Sequence, residues 1–251
     1  VRFPSTVLAQ NDAGIGVKNG MNLHGGKNTV GTFAPPFAVL NDLSLLESLD
    51  DTHWRSGLAE AFKVAIIKDA AFFEEMCTMA PRLRLRDAEA MERSIIRCAE
   101  LHLDHIASNG DPFELGSARP LDFGHWAAHK LEGMSNYRIP HGMAVAAGVA
   151  LDSAYAAAVG RISELDRDRI VAALTESGLP VFYPEMARTL GDGSLEILQG
   201  LEEFREHLGG LLCVTLPNPL GEREEVHEID LGIMADCVAW VQQTPAPPID
   251  S

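Results

Sequence analysis

From Thr52 onward, apolar residues recur at helical spacing with few breaks to about residue 243. Trp54, Leu58, Ala61, Phe62, Ala65 and Ile66 set the period, and Thr52 is placed to cap the first helix. Further helical windows fall at about 70–79, 86–108, 123–134, 142–158, 162–177, 183–190, 197–208 and 230–243, with Pro245, Pro247 and Pro248 ending the last. Residues 211–216 read as a short strand, and Val226 begins another short piece. The first 50 residues differ in kind. They are rich in Gly, Asn and Pro, with β-prone stretches at 29–33 and 37–40 separated by Pro35-Pro36, a pair that forbids a helix. The fold expected is mainly α: a helical domain over 52–251, preceded over 1–51 by a short β-containing remnant of an α/β region.

A chain of 251 residues with 46% hydrophobic content can bury a full core. Its net charge of -16 argues against a nucleic-acid partner, which would require a basic face. An acidic chain can still bind an anionic small molecule if its few cations gather in one cleft. Cys77, Cys98, Cys213 and Cys237 are widely spaced with no C-x-x-C pair, and are expected to be reduced core thiols. No apolar run reaches membrane-spanning length and no signal peptide opens the chain, so a cytoplasmic protein without a membrane partner is expected. The first residues, Val1-Arg2-Phe3-Pro4, lack an initiator Met and enter a motif-rich stretch at once, as a fragment or processed chain would.

The chemistry-bearing residues cluster in three places. His125 and His129 stand four apart on a predicted helix and share a face, and His141 follows Pro140 at the start of the next helix. Glu60 and Lys63 share a face of the first helix within Gly57-Leu58-Ala59-Glu60-Ala61-Phe62-Lys63. Imidazole nitrogens with a carboxylate oxygen suit Zn²⁺ or a similar divalent ion, and three protein ligands leave a position open for chemistry. His125 and His141 are the expected imidazole ligands, and His129 fits a supporting or phosphate-binding role better. The third place is the Gly/Asn/Lys stretch 10–28, with Asp12, Lys18, Asn22, Lys27 and Asn28. Such a backbone can cradle phosphate, although alone it reads equally as a solvated loop.

In order and spacing, these pieces resemble the sugar phosphate cyclases, the family of 3-dehydroquinate synthase. The resemblance runs from Pro4 to about Leu220 and rests on Leu8-Ala9-Gln10, Gly-x-Lys18-x-Gly-x-Asn22, Gly-Lys27-Asn28, Gly57-Leu58-Ala59-Glu60-x-x-Lys63 and Asp122-Phe123-Gly124-His125-x-x-x-His129. It implies the helical C-terminal domain of that fold, with 1–51 as the end of an α/β NAD-binding domain and the active site between the two. It implies NAD and a divalent metal, Zn or Co, as cofactors, a small-molecule sugar phosphate as substrate, and a homodimer. Matched motif by motif, Glu60, His125 and His141 would hold the metal. Asp12, Lys27 and Asn28 would lie near the nicotinamide ribose or substrate. Lys18, Asn28 and His129 would hold substrate phosphate, and Lys63 would bind substrate hydroxyls; Lys18, Lys63 and His129 are the expected catalytic set. The implied reaction oxidises a ring hydroxyl transiently at NAD, eliminates phosphate, returns the hydride, opens the ring and closes a carbocycle by an intramolecular aldol. This is carbon–oxygen lyase chemistry.

The chain departs from the dehydroquinate pattern at the positions that would hold a substrate carboxylate. A helix Lys is replaced by His102, an Arg seven before His125 by Ala118 with Arg119 beside it, and an Asn by Asp122. Met143 replaces an acidic residue after His-Gly, and Phe204-Arg205 replaces a C-terminal Lys pair. His102, Arg119, Asp122 and Arg205 remain candidate substrate contacts. Losing cations and gaining a carboxylate weakens a carboxylate site, because each charge-assisted bond is worth about 1.5–3 kcal/mol. A substrate without a carboxylate, sedoheptulose 7-phosphate giving a valiolone-type product, is therefore preferred over 3-deoxy-arabino-heptulosonate 7-phosphate. Retention of His129 favours the 2-epi-valiolone branch. The rival readings are an iron- or glycerol-type NAD-dependent alcohol dehydrogenase and an inactive scaffold. Met76, Met79, Met91 and Trp54 are expected to pack in the core, and His24, His53, His105, His207 and His227 to lie on the surface.

Overall fold

The computed structural model describes residues 1–23, 26–108 and 121–247; at 18, 19, 21–23, 26–29, 32, 33 and 108 it describes backbone alone. Two antiparallel strands, β1 (Lys18–Leu23) and β2 (Gly26–Phe33), pair with Lys18 opposite Phe33 and Gly20 opposite Gly31. Among the described residues eight α-helices follow: α1 (Asp51–Lys68), α2 (Ala70–Arg84), α3 (Ala88–Ser108), α4 (His125–Met134), α5 (His141–Ala158), α6 (Glu164–Glu176), α7 (Gln199–His207) and α8 (Leu231–Gln242). A second hairpin, β3 (Val214–Pro217) with β4 (Arg223–Val226), lies between α7 and α8.

Carboxylate and hydroxyl caps set the helix starts. Asp50, Asp69, Ser163 and Asp230 accept backbone N–H groups at the beginnings of α1, α2, α6 and α8. The centre of the fold is α5, buried without a break from Gly142 to Ala156. It is rich in small residues, so α1, α4, α6 and α8 can all pack against it. Helix α1 is likewise buried from Ser56 to Ile67. Trp54 closes its N-terminal end, and the indole N–H donates to the Leu83 carbonyl at 3.1 Å.

Residues 7–15 form one irregular helical turn against α1 and α3. Gln10 and Asn11 are fully buried there; the Asn11 amide donates to the Gly57 carbonyl at 2.7 Å, tying this segment to the helix that carries Glu60. Arg2 anchors the chain start by donating to the carbonyls of Gly14 and Gly16 at 2.8 and 2.6 Å.

The mainly α expectation holds, with local corrections. The β-prone stretch at 29–33 is longer and pairs with 18–23, whereas 37–40 contributes only a single bridge from Val39 to Arg2. The window 183–190 forms only a short 3₁₀ turn, Pro184–Ala187, because Pro184 starts it and too few residues follow to propagate an α-helix. The stretch read as a phosphate-cradling loop begins in a helical turn and is strand over 18–23 and 26–28. His105, expected at the surface, is buried by the packing of α3. All four cysteines are free.

Candidate metal and substrate site

Three helices bring one carboxylate and two imidazoles together. Glu60 sits mid-way along α1, His125 is the first residue of α4 and His141 the first of α5. Glu60 Oε1 lies 3.7 Å from His125 Nε2 and 3.5 Å from His141 Nε2. Ligand atoms around a tetrahedral zinc with bonds of about 2.0–2.1 Å stand about 3.3–3.4 Å apart, so these separations need only slight contraction.

Close backbone contacts make this convergence possible. A Cβ on Gly142 would fall 2.0 Å from the Ser56 carbonyl oxygen, so α5 reaches α1 one residue after His141 only because no side chain intervenes. Gly148 touches the Gly124 carbonyl just as closely, and Gly124 itself has φ +78°, which turns the chain into α4. Asp152, fully buried, fixes that turn by accepting the Gly124 N–H at 3.0 Å and the Trp126 indole N–H at 2.8 Å. Burial pushes the Asp152 carboxyl up to about 7, against the pull of those two bonds.

The second nitrogens of the imidazoles are also held. His125 Nδ1 lies 3.1 Å from the Phe123 carbonyl, an acceptor only, so Nδ1 carries the proton and Nε2 presents its lone pair to the cluster. His141 Nδ1 lies 3.2 Å from Glu132 Oε2, which likewise fixes a proton on Nδ1. Burial and the Lys63 ammonium push His125 down to about 3, keeping it neutral. For His141 burial acts downward, but Glu132 and Glu60 overcome it and carry it up to about 9. Burial alone would raise Glu60; the Lys63 ammonium and the two imidazoles hold it well below the usual carboxylate range. Lys63, itself almost fully buried, rests against Glu60 Oε2 and is held charged by Glu60, Asp12 and Asp122 against the pull of burial.

Neither oxygen of Glu60 has a well-aligned hydrogen bond, although both are buried. A buried carboxylate so placed is costly, and a cation against Oε1 would satisfy it. The donor set, with Oε2 of Glu60 paired to Lys63 and the buried Oε1 without a hydrogen bond, fits a divalent ion held by Glu60, His125 and His141.

His129, one turn along α4, is exposed, with its ring 5.6 Å from that of His125 and 5.9 Å from that of His141. It borders a cavity of about 330 Å³ between α4 and α7, also lined by Lys130, Glu132, Tyr137, Phe204 and His207. Lys130 is engaged there by Glu203 at 2.5 Å. On the opposite side, His102 of α3 has Nδ1 3.0 Å from Asp12 Oδ1, and Asp12 and Asp122 both act on Lys63. Asp12, Lys63, His102 and Asp122 thus stand with the metal-type cluster. Arg205 does not: it lies on the outer side of α7, bound to Glu202 and the Gly210 carbonyl. Arg119 and the side chains of Lys18, Asn22, Lys27 and Asn28 lie outside the described residues. Sequence reasoning missed Glu132 and Asp152. The signal for Glu132 was its spacing, three after His129 and seven after His125 on one helical face; Asp152 had none.

The model of the 3-dehydroquinate synthase C-terminal domain matches residues 57–194, and that of the N-terminal domain matches 1–56. The chain belongs to the sugar phosphate cyclase family. Among solved structures it is similar to ValA, a 2-epi-5-epi-valiolone synthase from Streptomyces hygroscopicus subsp. jinggangensis 5008 with NAD⁺ and Zn²⁺ bound. Identity is 28% and the TM-score 0.86, with 96% of this chain and 66% of that one covered. Two structures of 2-deoxy-scyllo-inosose synthase share the fold. One, complexed with carbaglucose-6-phosphate, NAD⁺ and Co²⁺, is 20% identical with a TM-score of 0.71, covering 94% of this chain and 65% of that one. The other is 23% identical with a TM-score of 0.67, covering 88% and 58%. The chain thus spans between 58% and 66% of the length of these solved chains. Among the described residues no helix is long and apolar enough to cross a membrane.

Proposed function

We propose that this protein is an NAD- and divalent-metal-dependent cyclase that eliminates phosphate from sedoheptulose 7-phosphate and closes a valiolone-type carbocycle. The observation that carries the reading is the approach of ligand atoms of Glu60, His125 and His141 to within 4.8 Å of one another. When bound, the ion polarises a substrate oxygen and NAD⁺ accepts and returns a hydride. The chain's own residues bind and orient. Glu60, His125 and His141 hold the ion, Lys63 offers its ammonium to a substrate hydroxyl, and His129 faces the phosphate. Lys18, Lys27 and Asn28 are assigned to phosphate and cofactor from their motifs. Residues 1–51 are assigned to the end of the nucleotide-binding domain and 52–251 to the metal- and substrate-binding domain.

The preference for a substrate without a carboxylate has local support. Three carboxylates, Glu60, Asp12 and Asp122, already act on Lys63, and His102 stands against Asp12. A substrate carboxylate brought there would face like charge before it met a cation. The likeness to ValA supports a valiolone-type product, but ValA is named for the 2-epi-5-epi branch and not for the 2-epi branch that His129 favours.

The test uses the full-length protein with sedoheptulose 7-phosphate. The expected result is one phosphate released per cyclitol formed, with no net absorbance at 340 nm because NADH is reoxidised in each turnover. Stripping the metal should abolish turnover and Zn²⁺ or Co²⁺ should restore it. Turnover of 3-deoxy-arabino-heptulosonate 7-phosphate alone would overturn the substrate assignment. Steady NADH production with a simple polyol would overturn the cyclase assignment in favour of a dehydrogenase.

A further inference from the structure

The two imidazoles of the cluster are supported unequally. His125 is largely enclosed, with 11% of its side chain exposed, and its Nδ1 partner is a neutral carbonyl two residues away. His141 is the most open of the three ligands at 29%. Like His125 at the head of α4, it is the first residue of its helix, so no preceding helical turn packs against its ring. Imidazole torsion about the Cβ–Cγ bond is broad and roughly two-fold, so such a ring needs an external hold to keep Nε2 on the cluster.

Glu132 provides that hold. It is 5% exposed, reaches His141 from α4, and places Oε2 3.2 Å from Nδ1, opposite the nitrogen that faces Glu60. The His141 ring is therefore spanned by a carboxylate at each nitrogen. We infer that Glu132 is the positioning residue of the metal centre: it fixes the tautomer and orientation of His141 and raises its strength as a ligand. This inference rests on the reading of Glu60, His125 and His141 as a metal site.

The fold separates this role from a purely structural one. The connection from α4 to α5 is held by the Glu132 main chain, whose carbonyl accepts the Tyr137 N–H at 2.8 Å and the Ser135 hydroxyl at 2.9 Å. Ser135 Oγ in turn accepts the Ile139 N–H at 3.3 Å, and Asn136 and Tyr137 take left-handed backbone angles to complete the reversal. None of these contacts uses the carboxylate, so side-chain replacements at 132 are expected to leave the turn intact.

The experiment measures Zn²⁺ and Co²⁺ affinity of the metal-stripped full-length protein, by competition with a chromophoric chelator, for wild type, Glu132→Gln, Glu132→Ala and Glu60→Ala. Thermal unfolding of each metal-free form is recorded alongside. Glu132→Ala is expected to bind about 10–100-fold more weakly, the range seen when such supporting partners are removed. Its Co²⁺ absorption band should shift while the metal-free melting curve stays close to that of wild type. Glu132→Gln, whose amide oxygen can accept the Nδ1–H but carries no charge, should lose less. Affinity and spectrum unchanged in Glu132→Ala, with Glu60→Ala unable to bind, would overturn the inference and leave the metal site standing. If the Ala variant fails to fold, an unchanged affinity in the isosteric Gln variant overturns it equally. Equal binding by Glu60→Ala and wild type would instead overturn the underlying metal-site reading.

Discussion

Asp152 illustrates how one residue outside the cluster governs it. Its two oxygens hold the Gly124 N–H and the Trp126 indole, and so aim the first residue of α4. Burial raises its carboxyl from an ordinary 3.8 to about 7. Between roughly pH 4 and pH 7 the folded protein keeps a proton that the unfolded chain has lost, so folding stability falls as pH rises through that window. The full penalty above pH 7 is on the order of 4 kcal/mol. Asp152→Asn cannot ionise, but its NH₂ group must face one of the two N–H donors, which costs about 1–3 kcal/mol. The variant is therefore expected to be less stable than wild type at pH 5, with the gap closing or reversing by pH 8. Urea midpoints across that range check this; a gap independent of pH would mean that Asp152 does not titrate there.

At the scale of elements, the site depends on how closely α1, α4 and α5 approach. Gly142→Ala places a methyl 2.0 Å from the Ser56 carbonyl, a backbone atom that cannot swing away. The helices must separate, at a cost of at least about 2–3 kcal/mol, and Glu60 must draw back from His141. Gly133→Ala is the contrasting case: nothing lies within 4 Å of its added methyl, and it sits near the exposed end of α4. Replacing a helical glycine there should stabilise by roughly 0.5–1 kcal/mol. Urea unfolding of the pair reads both signs, and metal affinity should fall only in Gly142→Ala. The same contrast explains what was legible in the sequence. Helical periodicity placed α1 through α8 within a few residues, and local spacing put Glu60 with Lys63 and His125 with His129. Nothing local distinguishes Gly142 from Gly133, because one lies under another helix and the other under solvent. Asp152 was unreadable for the same reason, its partners being 26 and 28 residues away. Helix ends at 79 and 190 were misplaced because Pro81 is tolerated within α2, while Pro184 opens a turn that never extends.

At the scale of the whole molecule, charge is the dominant asymmetry. Carboxylates outnumber Lys and Arg so far that the net charge is -16, and many of the cations are already engaged on the surface. Arg169 binds Glu74, Arg93 binds Glu75, Arg82 binds Asp87 and Glu89, and Lys130 binds Glu203. Exposed pairs of this kind contribute about 0–1 kcal/mol each and act over a few ångströms. The excess carboxylates repel one another over longer distances and work against the folded state. Raising NaCl from about 10 mM to about 150 mM shortens the screening length from about 30 Å to about 8 Å, which removes mainly the long-range repulsion. The melting temperature of the metal-free protein is therefore expected to rise by a few degrees over that range at fixed pH. A fall would show that the short ion pairs outweigh the repulsion. The same field bears on substrate capture. On the proposed function, a sugar phosphate would be repelled by this acidic surface until it met Lys63, so added salt should assist its approach more than it weakens the final contact.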